Sequence, residues 1–175
     1  MKNFIAPFLT LASLSVMLVF AANIKTDYNH SADFSAYKTY SWIQIKADPL
    51  WVDRITGVVD HELNTKGWAE VAESGDAGVA AFSATHEVPT METFYTGFGG
   101  GWRWRGGIAD GFATTTVEKT PVGTLTIDLF DGHTKKLIWR GMASEALSNK
   151  PEKDEKKMEK AVEAMFKHFP PPPRD

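Results

Sequence analysis

The stretch of sequence that decides the fold is "GTLTIDLFDGHTKKLIWRGMASEAL", residues 123–147. Apolar and polar side chains alternate in it on both sides of a short polar turn around Gly132, which is the pattern of two half-buried strands joined by a hairpin. The apolar positions of the first strand are Leu125, Ile127 and Leu129. This alternation predicts an antiparallel strand pair with one face in the core.

The same alternation predicts how the two strands are aligned. A slip of one residue would turn one strand inside out, so the apolar faces must match. We expect Leu129 to lie opposite Leu137 in this register. Asp128 and Arg140 then lie diagonally on the other face, where they can form a cross-strand ion pair.

A glycine-rich run, "GFGGGWRWRGGIADG" at residues 97–111, contains half of the 14 glycines in the chain. Strand-like sequence precedes it at residues 78–95 and resumes after it with "FATTTVEKT", residues 112–120. Glycine supplies the backbone freedom that a tight connection needs. The run is therefore predicted to form the loop of a second, longer hairpin.

Two amphipathic helices complete the pattern. Asp48-Pro49 is a helix-start signal and Gly67 a stop signal, which predicts a helix over residues 49–66. A second helix is predicted over residues 152–168, where apolar side chains recur on one face. Two further strands are expected near residues 24–28 and 39–43. Together these elements predict an α+β fold in which two amphipathic helices pack on one face of an antiparallel β-sheet.

The N-terminal residues predict export. Residues 1–21 combine a basic start, an apolar run and a small residue at Ala21, which is typical of a secretory signal peptide. We expect a single α+β domain at residues 22–169 and a stiff proline-rich C-terminal tail at residues 170–175. The mature chain is not expected to span a membrane.

Charge and cysteine content narrow the classes of function. The formal net charge is -3, so nothing in the sequence drives binding to nucleic acid. The chain contains no cysteine, which excludes disulfides, thiolate chemistry and lipid anchoring through a cysteine. An exported protein without disulfides is typical of the bacterial periplasm, and we expect that location, with an extracellular or signal-anchored one left open.

Three segments resemble one known family. They are "DYNHSADFSAYKTYSW" at residues 27–42, "ELNTKGW" at residues 62–68 and "GTLTIDLFDGHTKKLIWRGMA" at residues 123–143. In this order they are similar to the bacterial exported family catalogued as domain of unknown function 4136, which includes many lipoproteins. The resemblance implies an α+β envelope domain and brings no catalytic residues. Many relatives carry a lipid-bearing cysteine after the signal, and this chain does not.

The candidate binding residues lie in the glycine-rich run: Trp102, Arg103, Trp104 and Arg105. In an extended segment the two tryptophans share one face and the two arginines the other, and both side-chain types can stack on a flat ligand. The alternative is structural, with the tryptophans covering the sheet and the arginines facing solvent. The run lacks the lysine and the glycine spacing of nucleotide-binding loops, so no nucleotide site is expected there.

The sequence contains no recognisable catalytic or metal motif. His61 and Glu62 begin like a zinc-protease helix motif, but Thr65 stands where the second histidine should be. Ser74 lies in a predicted turn and not in a nucleophile elbow. The five histidines are dispersed. We therefore predict no catalytic residues, no metal site and no cofactor.

These observations lead to one expectation and two alternatives. We expect a non-catalytic exported envelope protein that acts by binding or by structural support, with an unknown envelope protein or ligand as its partner. The first alternative is a small-molecule or glycan binder that uses the Gly/Trp/Arg loop. The second is an uncharacterised hydrolase, which would need a serine, a histidine and an acid in one cleft.

Overall fold

A computed structural model describes residues 23–96 and 112–172 of the chain. It contains six strands and two α-helices, with one turn of 3-10 helix between β1 and β2. In chain order the elements are β1 (Asn23–Tyr28), β2 (Thr39–Lys46), α1 (Pro49–Thr65), β3 (Ala69–Glu70), β4 (Ala77–Thr96), β5 (Phe112–Asp131), β6 (Leu137–Ala146) and α2 (Pro151–Phe166).

The six strands form one mixed sheet in the order β1-β6-β5-β4-β2-β3. The pairings β1-β6, β6-β5 and β5-β4 are antiparallel, whereas β2 pairs with both β4 and β3 in parallel. The predicted α+β class is confirmed, but the sheet is not antiparallel throughout. The reason is that α1 crosses over between β2 and the strands that follow it. Strands joined by such a crossover helix run parallel to each other.

The hairpin of β5 and β6 exists, and its register differs from the predicted one. Leu129 lies opposite Trp139, and Leu137 lies opposite Phe130, with an irregularity between these two pairs. Ile138 is the extra residue of this bulge, which the alternation of side chains does not reveal. Asp128 and Arg140 form the predicted ion pair, but they lie directly opposite each other instead of diagonally.

The ends of the helices follow from their capping residues. The Asp48 side chain accepts a hydrogen bond from the Leu50 amide at 2.9 Å, and Pro49 occupies the first turn of α1. Gly67, with φ at 84°, follows α1 in the left-handed conformation that stops a helix. α2 starts at Pro151 and ends at Phe166, two residues before the predicted end. Within the described ranges, no helix combines the length and apolarity needed to cross a bilayer.

One buried cluster forms the core. It joins alternate residues of the central strands with the buried stripes of both helices, and it extends to Phe169 beyond α2. The helix residues in it are Ile55, Val59, Leu63, Ala161, Val162, Met165 and Phe166. Strand residues of the opposite parity, such as Thr126, Arg140 and Met142, are not in this cluster. The side chains on the two faces of the sheet therefore have different environments.

Several predictions fall on residues outside those the structure describes. They are the signal peptide, the end of the proline-rich tail and the four loop residues Trp102, Arg103, Trp104 and Arg105. The division into residues 1–21, 22–169 and 170–175 also stays a prediction.

Candidate binding groove and hairpin arm

β4 and β5 are much longer than their neighbours. They pair with each other over twenty positions, while the pairing of β2 ends at Phe82 and that of β6 ends at Val122. The pairs from Glu87↔Pro121 to Thr96↔Phe112 are therefore bordered by no other strand among the described residues. We call these ten pairs the hairpin arm. At about 3.4 Å per residue the arm is roughly 33 Å long.

Two prolines lie in the arm without disrupting it. The Pro121 carbonyl accepts a hydrogen bond from the Leu147 amide at 2.8 Å, so the Pro121 backbone points away from β4. Backbone direction alternates along an antiparallel pair, so Lys119 and its partner Pro89 also point outward. The ladder between β4 and β5 therefore loses no donor to either proline. Each outer edge of the arm lacks one amide donor, which makes it a poorer template for the pairing of an added strand.

The described side chains at the start of the arm face solvent. Val88 and Val117 are exposed, and Lys119 forms an ion pair with Glu87 at 2.9 Å between two largely exposed side chains. Such a pair contributes only about 0.2–1 kcal/mol. The arm is thus held mainly by its backbone ladder and not by burial in the core.

A groove of about 790 Å³ lies where the arm joins the body of the protein. Its walls are the first turns of α1 and α2, and its floor is made by β4, β5 and β6. Most of the lining is apolar, and the main apolar side chains are Leu50, Trp51, Ile55, Leu125, Leu147 and Met158. This volume and this composition are typical of ligand pockets, which span roughly 300–1,000 Å³.

The groove lining contains more acidic than basic residues. Three carboxylates, Asp48, Glu145 and Asp154, face two cations, Arg54 and Lys157. Both cations already have acidic neighbours: Lys157 Nζ lies 3.6 Å from Glu145 Oε1, and Arg54 Nε lies 3.5 Å from a carboxylate of α2. The lining therefore holds one more carboxylate than cations, and Asp48 is the exposed carboxylate among them.

One wall of the groove is built by a contact between the two helices. The partner of Arg54 in this contact is Glu155, so the ion pair joins α1 to α2. The Arg54 guanidinium also lies 5.1 Å from the ring centroid of Trp51, within the range of a cation–π interaction. These contacts fix the flat face of Trp51 beside the groove.

On the side of α2, Asp154 holds the loop that follows β6. Its two carboxylate oxygens accept hydrogen bonds from the Ser148 amide at 2.9 and 3.0 Å, which ties the loop after β6 to α2. Lys157 Nζ donates to the Ala146 carbonyl at 2.6 Å on the same side. The side chains of Asp154 and Lys157 are thus used in holding the loop. Among the described residues that line the groove there is no histidine to stand beside a hydroxyl group.

Residues 97–111, which were predicted to form the loop, lie outside the described residues. The loop of residues 97–111 joins Thr96 to Phe112, the last pair of the arm. The strands on both sides of the glycine-rich run are therefore paired as predicted. In the part of the chain that the structure describes, no three His, Cys, Asp or Glu residues are grouped so that they could hold a metal ion.

Sequence reasoning missed the groove. Leu50 and Trp51 directly follow the helix cap, and Leu50 is 79% exposed although it is large and apolar. Leu50 lies outside the buried stripe of Ile55, Val59 and Leu63, and an apolar residue out of phase with its helix is the signal that could have drawn attention to this face. The other half of the groove, from Leu147 to Met158, could not be placed beside α1 without the tertiary structure.

The described elements form an α+β domain with a long hairpin arm and an apolar groove. The chain belongs to the family described as "Domain of unknown function (DUF4136)", which matches residues 24–171. The family predicted from the three sequence segments is thereby confirmed. No curated protein matches the chain significantly.

Comparison with solved structures found several that are similar to this chain. A PDZ domain protein from Parabacteroides distasonis is 16% identical, with a TM-score of 0.58, over 87% of this chain and 36% of its own length. The chain thus spans about a third of that protein, and at this identity the likeness concerns the fold alone. The PelC dodecamer from Paraburkholderia phytofirmans is 12% identical, with a TM-score of 0.47, over 88% of this chain and 99% of its own. A minor lipoprotein from Acinetobacter baumannii is 10% identical, with a TM-score of 0.38, over 76% and 92%.

Proposed function

We propose that this protein is a non-catalytic exported envelope protein that acts by binding, and that residues Trp102–Arg105 at the tip of the hairpin arm contact its partner. The observation that carries the proposal is the arm itself. Ten residue pairs extend past the neighbouring strands, and their described side chains are mostly exposed. A two-stranded ribbon contributes little to the stability of a domain, so its length supports a role at its tip.

The composition of the tip supports recognition. Tryptophan and arginine are enriched where proteins bind one another, because both offer a large flat surface at a modest entropic cost. Glycines stand on both sides of these four residues in the sequence. Export is supported by the signal-like residues 1–21, and a periplasmic location by the cysteine-free composition.

The proposal is tested by capturing partners of the mature chain in its own cells. Tagged wild type is compared with the double variant Trp102→Ala/Trp104→Ala after crosslinking in intact envelopes, and the captured proteins are identified by mass spectrometry. A matched control, Val88→Ala/Val117→Ala, removes exposed apolar groups from the start of the arm. We expect the partner to be lost with the tip variant and kept with the control. Equal capture by all three chains would refute a binding role for the tip.

A further inference from the structure

We propose that the partner of the arm is a second copy of this chain, and that Trp102–Arg105 of one copy bind in the groove of the next. This inference rests on the binding role proposed for the tip, and it names the partner. It also assigns the groove, which is lined by Leu50, Trp51 and their neighbours, as the receptor surface.

The tip cannot reach the groove of its own chain. The groove is lined by Thr85, Pro121 and Gly123, so it lies at the start of the arm, and Trp102 follows the far end of the arm, at Thr96, by six residues. Six extended residues span at most about 20 Å, whereas the arm is roughly 33 Å long. While the arm remains paired, only the tip of another molecule can enter this groove.

Groove and tip are complementary in chemistry. The groove has an apolar floor and one more carboxylate than cations, and the exposed carboxylate is that of Asp48, the N-cap residue before α1. The tip alternates two indoles with two guanidinium groups, so an extended tip presents an apolar face and a cationic face. Indoles fit the apolar lining, and guanidinium groups pair with carboxylates in bidentate geometry.

The groove also has a solvent-exposed apolar surface that a tip would cover. Leu50 is the most exposed of the large apolar residues in the described chain. Trp51 lies beside it with one face fixed by Arg54. An aromatic side chain placed between them would remove apolar surface from water, which is the main driving force of association.

The geometry makes the contact head-to-tail. Each copy donates its tip to the groove of a neighbour, and its own groove receives a tip, because the two surfaces are different parts of the molecule. Such heterologous contacts build closed rings when the rotation between copies closes, and filaments when it does not. The proposal therefore predicts either a reciprocal dimer, which is the smallest closed ring, or a larger ring or filament.

Mixing two defective variants tests this arrangement directly. Leu50→Glu places a charge in the groove and leaves the tip intact, whereas Trp102→Ala/Trp104→Ala removes the tip and leaves the groove intact. Sedimentation velocity of the mature chains is measured for wild type, each variant and an equimolar mixture. We expect wild type to form oligomers, each variant alone to associate at least about tenfold more weakly, and the mixture to form a one-to-one heterodimer.

A control and a fold check accompany the experiment. Ile43→Glu changes another apolar residue, 56% exposed and outside the groove, and is expected to associate like wild type. Circular dichroism melting is expected to show that Leu50→Glu is folded, because the side chain is already in solvent. A second tip variant, Arg103→Glu/Arg105→Glu, is expected to weaken association through the same carboxylates.

Three results would overturn the proposal. They are a monomeric wild type at concentrations on the order of 100 μM, association that Leu50→Glu does not weaken, and a mixture without heterodimers. If wild type is monomeric but its tip still captures a different envelope protein, the binding role of the tip stands and the second copy is wrong as its partner. If the tip variant captures the same proteins as wild type and self-associates as strongly, both proposals are wrong.

Discussion

Asp131 shows how one polar residue holds a turn at the residue scale. Its carboxylate accepts hydrogen bonds from the Thr134 amide at 2.6 Å, the His133 amide at 3.0 Å and the Tyr37 hydroxyl at 2.8 Å. The bond from the Thr134 amide, followed by that from Tyr37, holds the pKa of Asp131 well below its usual range. Burial, and then the same hydrogen bond, raises the pKa of Tyr37 to about 12. The predicted turn around Gly132 is thus tied to the chain before β2.

The lowered pKa of Asp131 predicts a dependence of stability on pH. A carboxyl group with a lower pKa in the folded state stabilises the fold above its unfolded pKa, about 3.9, and loses that contribution as the pH falls toward its folded pKa. We expect Asp131→Asn to be less stable than wild type at pH 7 and to lose less stability between pH ~5 and ~2. Urea unfolding across this range measures both effects. Tyr37→Phe keeps the carboxylate, so it should keep most of the pH dependence, and identical profiles for wild type and Asp131→Asn would contradict the prediction.

The ion pair of β5 and β6 is asymmetric in burial. Arg140 Nε and Nη2 each lie 2.6 Å from one oxygen of Asp128, whose side chain is only 3% exposed, while that of Arg140 is 45% exposed. Removing the guanidinium leaves a buried carboxylate without its partner, whereas removing the carboxylate leaves an arginine that reaches water. The two substitutions should therefore lower the free energy of unfolding by different amounts.

We predict that Arg140→Met lowers the free energy of unfolding by about 2–4 kcal/mol and Asp128→Asn by about 1–2 kcal/mol. Chemical denaturation of both variants at neutral pH measures this difference. The double variant Asp128→Asn/Arg140→Met should be more stable than the sum of the two losses allows, because it leaves no uncompensated charge. Equal losses of unfolding free energy for the two single variants would mean that the different burial of the two side chains does not determine the cost of breaking the ion pair.

At the scale of elements, the hairpin arm is separable from the core. Its described side chains, at residues 87–89 and 117–121, are exposed or half-buried. The backbone direction set by Pro121 makes Val88↔Thr120 a hydrogen-bonded pair, and such a pair is the natural place to close a two-residue turn. The arm can thus be shortened without changing the register of β4 and β5 below it.

We predict that replacing residues 89–119 by Asn-Gly leaves a folded body whose melting temperature lies within about 5 °C of the wild-type value. The reason is that the ladder from Ala77 to Thr85 and the packing on Leu125, Ile127 and Leu129 remain unchanged. Thermal melting followed by circular dichroism measures the effect. An unfolded or aggregating product would show that the arm supports the core. The shortened chain should also fail to self-associate, as the tip variant does.

At the scale of the whole molecule, one aromatic cluster joins distant parts of the chain. Phe169, just beyond α2, has ring centroids of Phe34, Trp68, Trp139 and Phe166 within 5.3 to 5.6 Å of its own. These residues come from the turn after β1, the end of α1, the strand β6 and α2. The cluster therefore ties the C-terminal segment to both ends of the domain.

We predict that Phe169→Ala lowers the free energy of unfolding by about 3–5 kcal/mol, because it removes a buried ring from between four others. Chemical denaturation measures the loss. Pro172→Ala is a matched control three residues further along, where the side chain is exposed, and should change stability by less than about 0.5 kcal/mol. A small loss for Phe169→Ala would mean that the C-terminal segment is dispensable for the fold.

Local patterns identified both helices, the long hairpin and the β5-β6 hairpin. They did not identify β5 as one strand of twenty residues, because Pro121 and Gly123 read as a break between two strands. Pro121 is tolerated because its missing amide points away from β4, and only the pairing partners determine that direction. The register of β5 and β6 was wrong for a similar reason, since the bulge at Ile138 leaves the alternation of the sequence almost unchanged.

Three sequence segments were enough to identify the family, and the period of the apolar residues with the capping signals was enough to predict the α+β class and most of its elements, because period and capping are local properties of the chain. The parallel pairing of β2 with β4, the reach of the arm and the groove became apparent only in the folded chain. Each of these depends on contacts between residues far apart in sequence. The groove needs the first turns of two helices about 100 residues apart to meet over three strands, and such a meeting is set by packing of the core and not by any local signal.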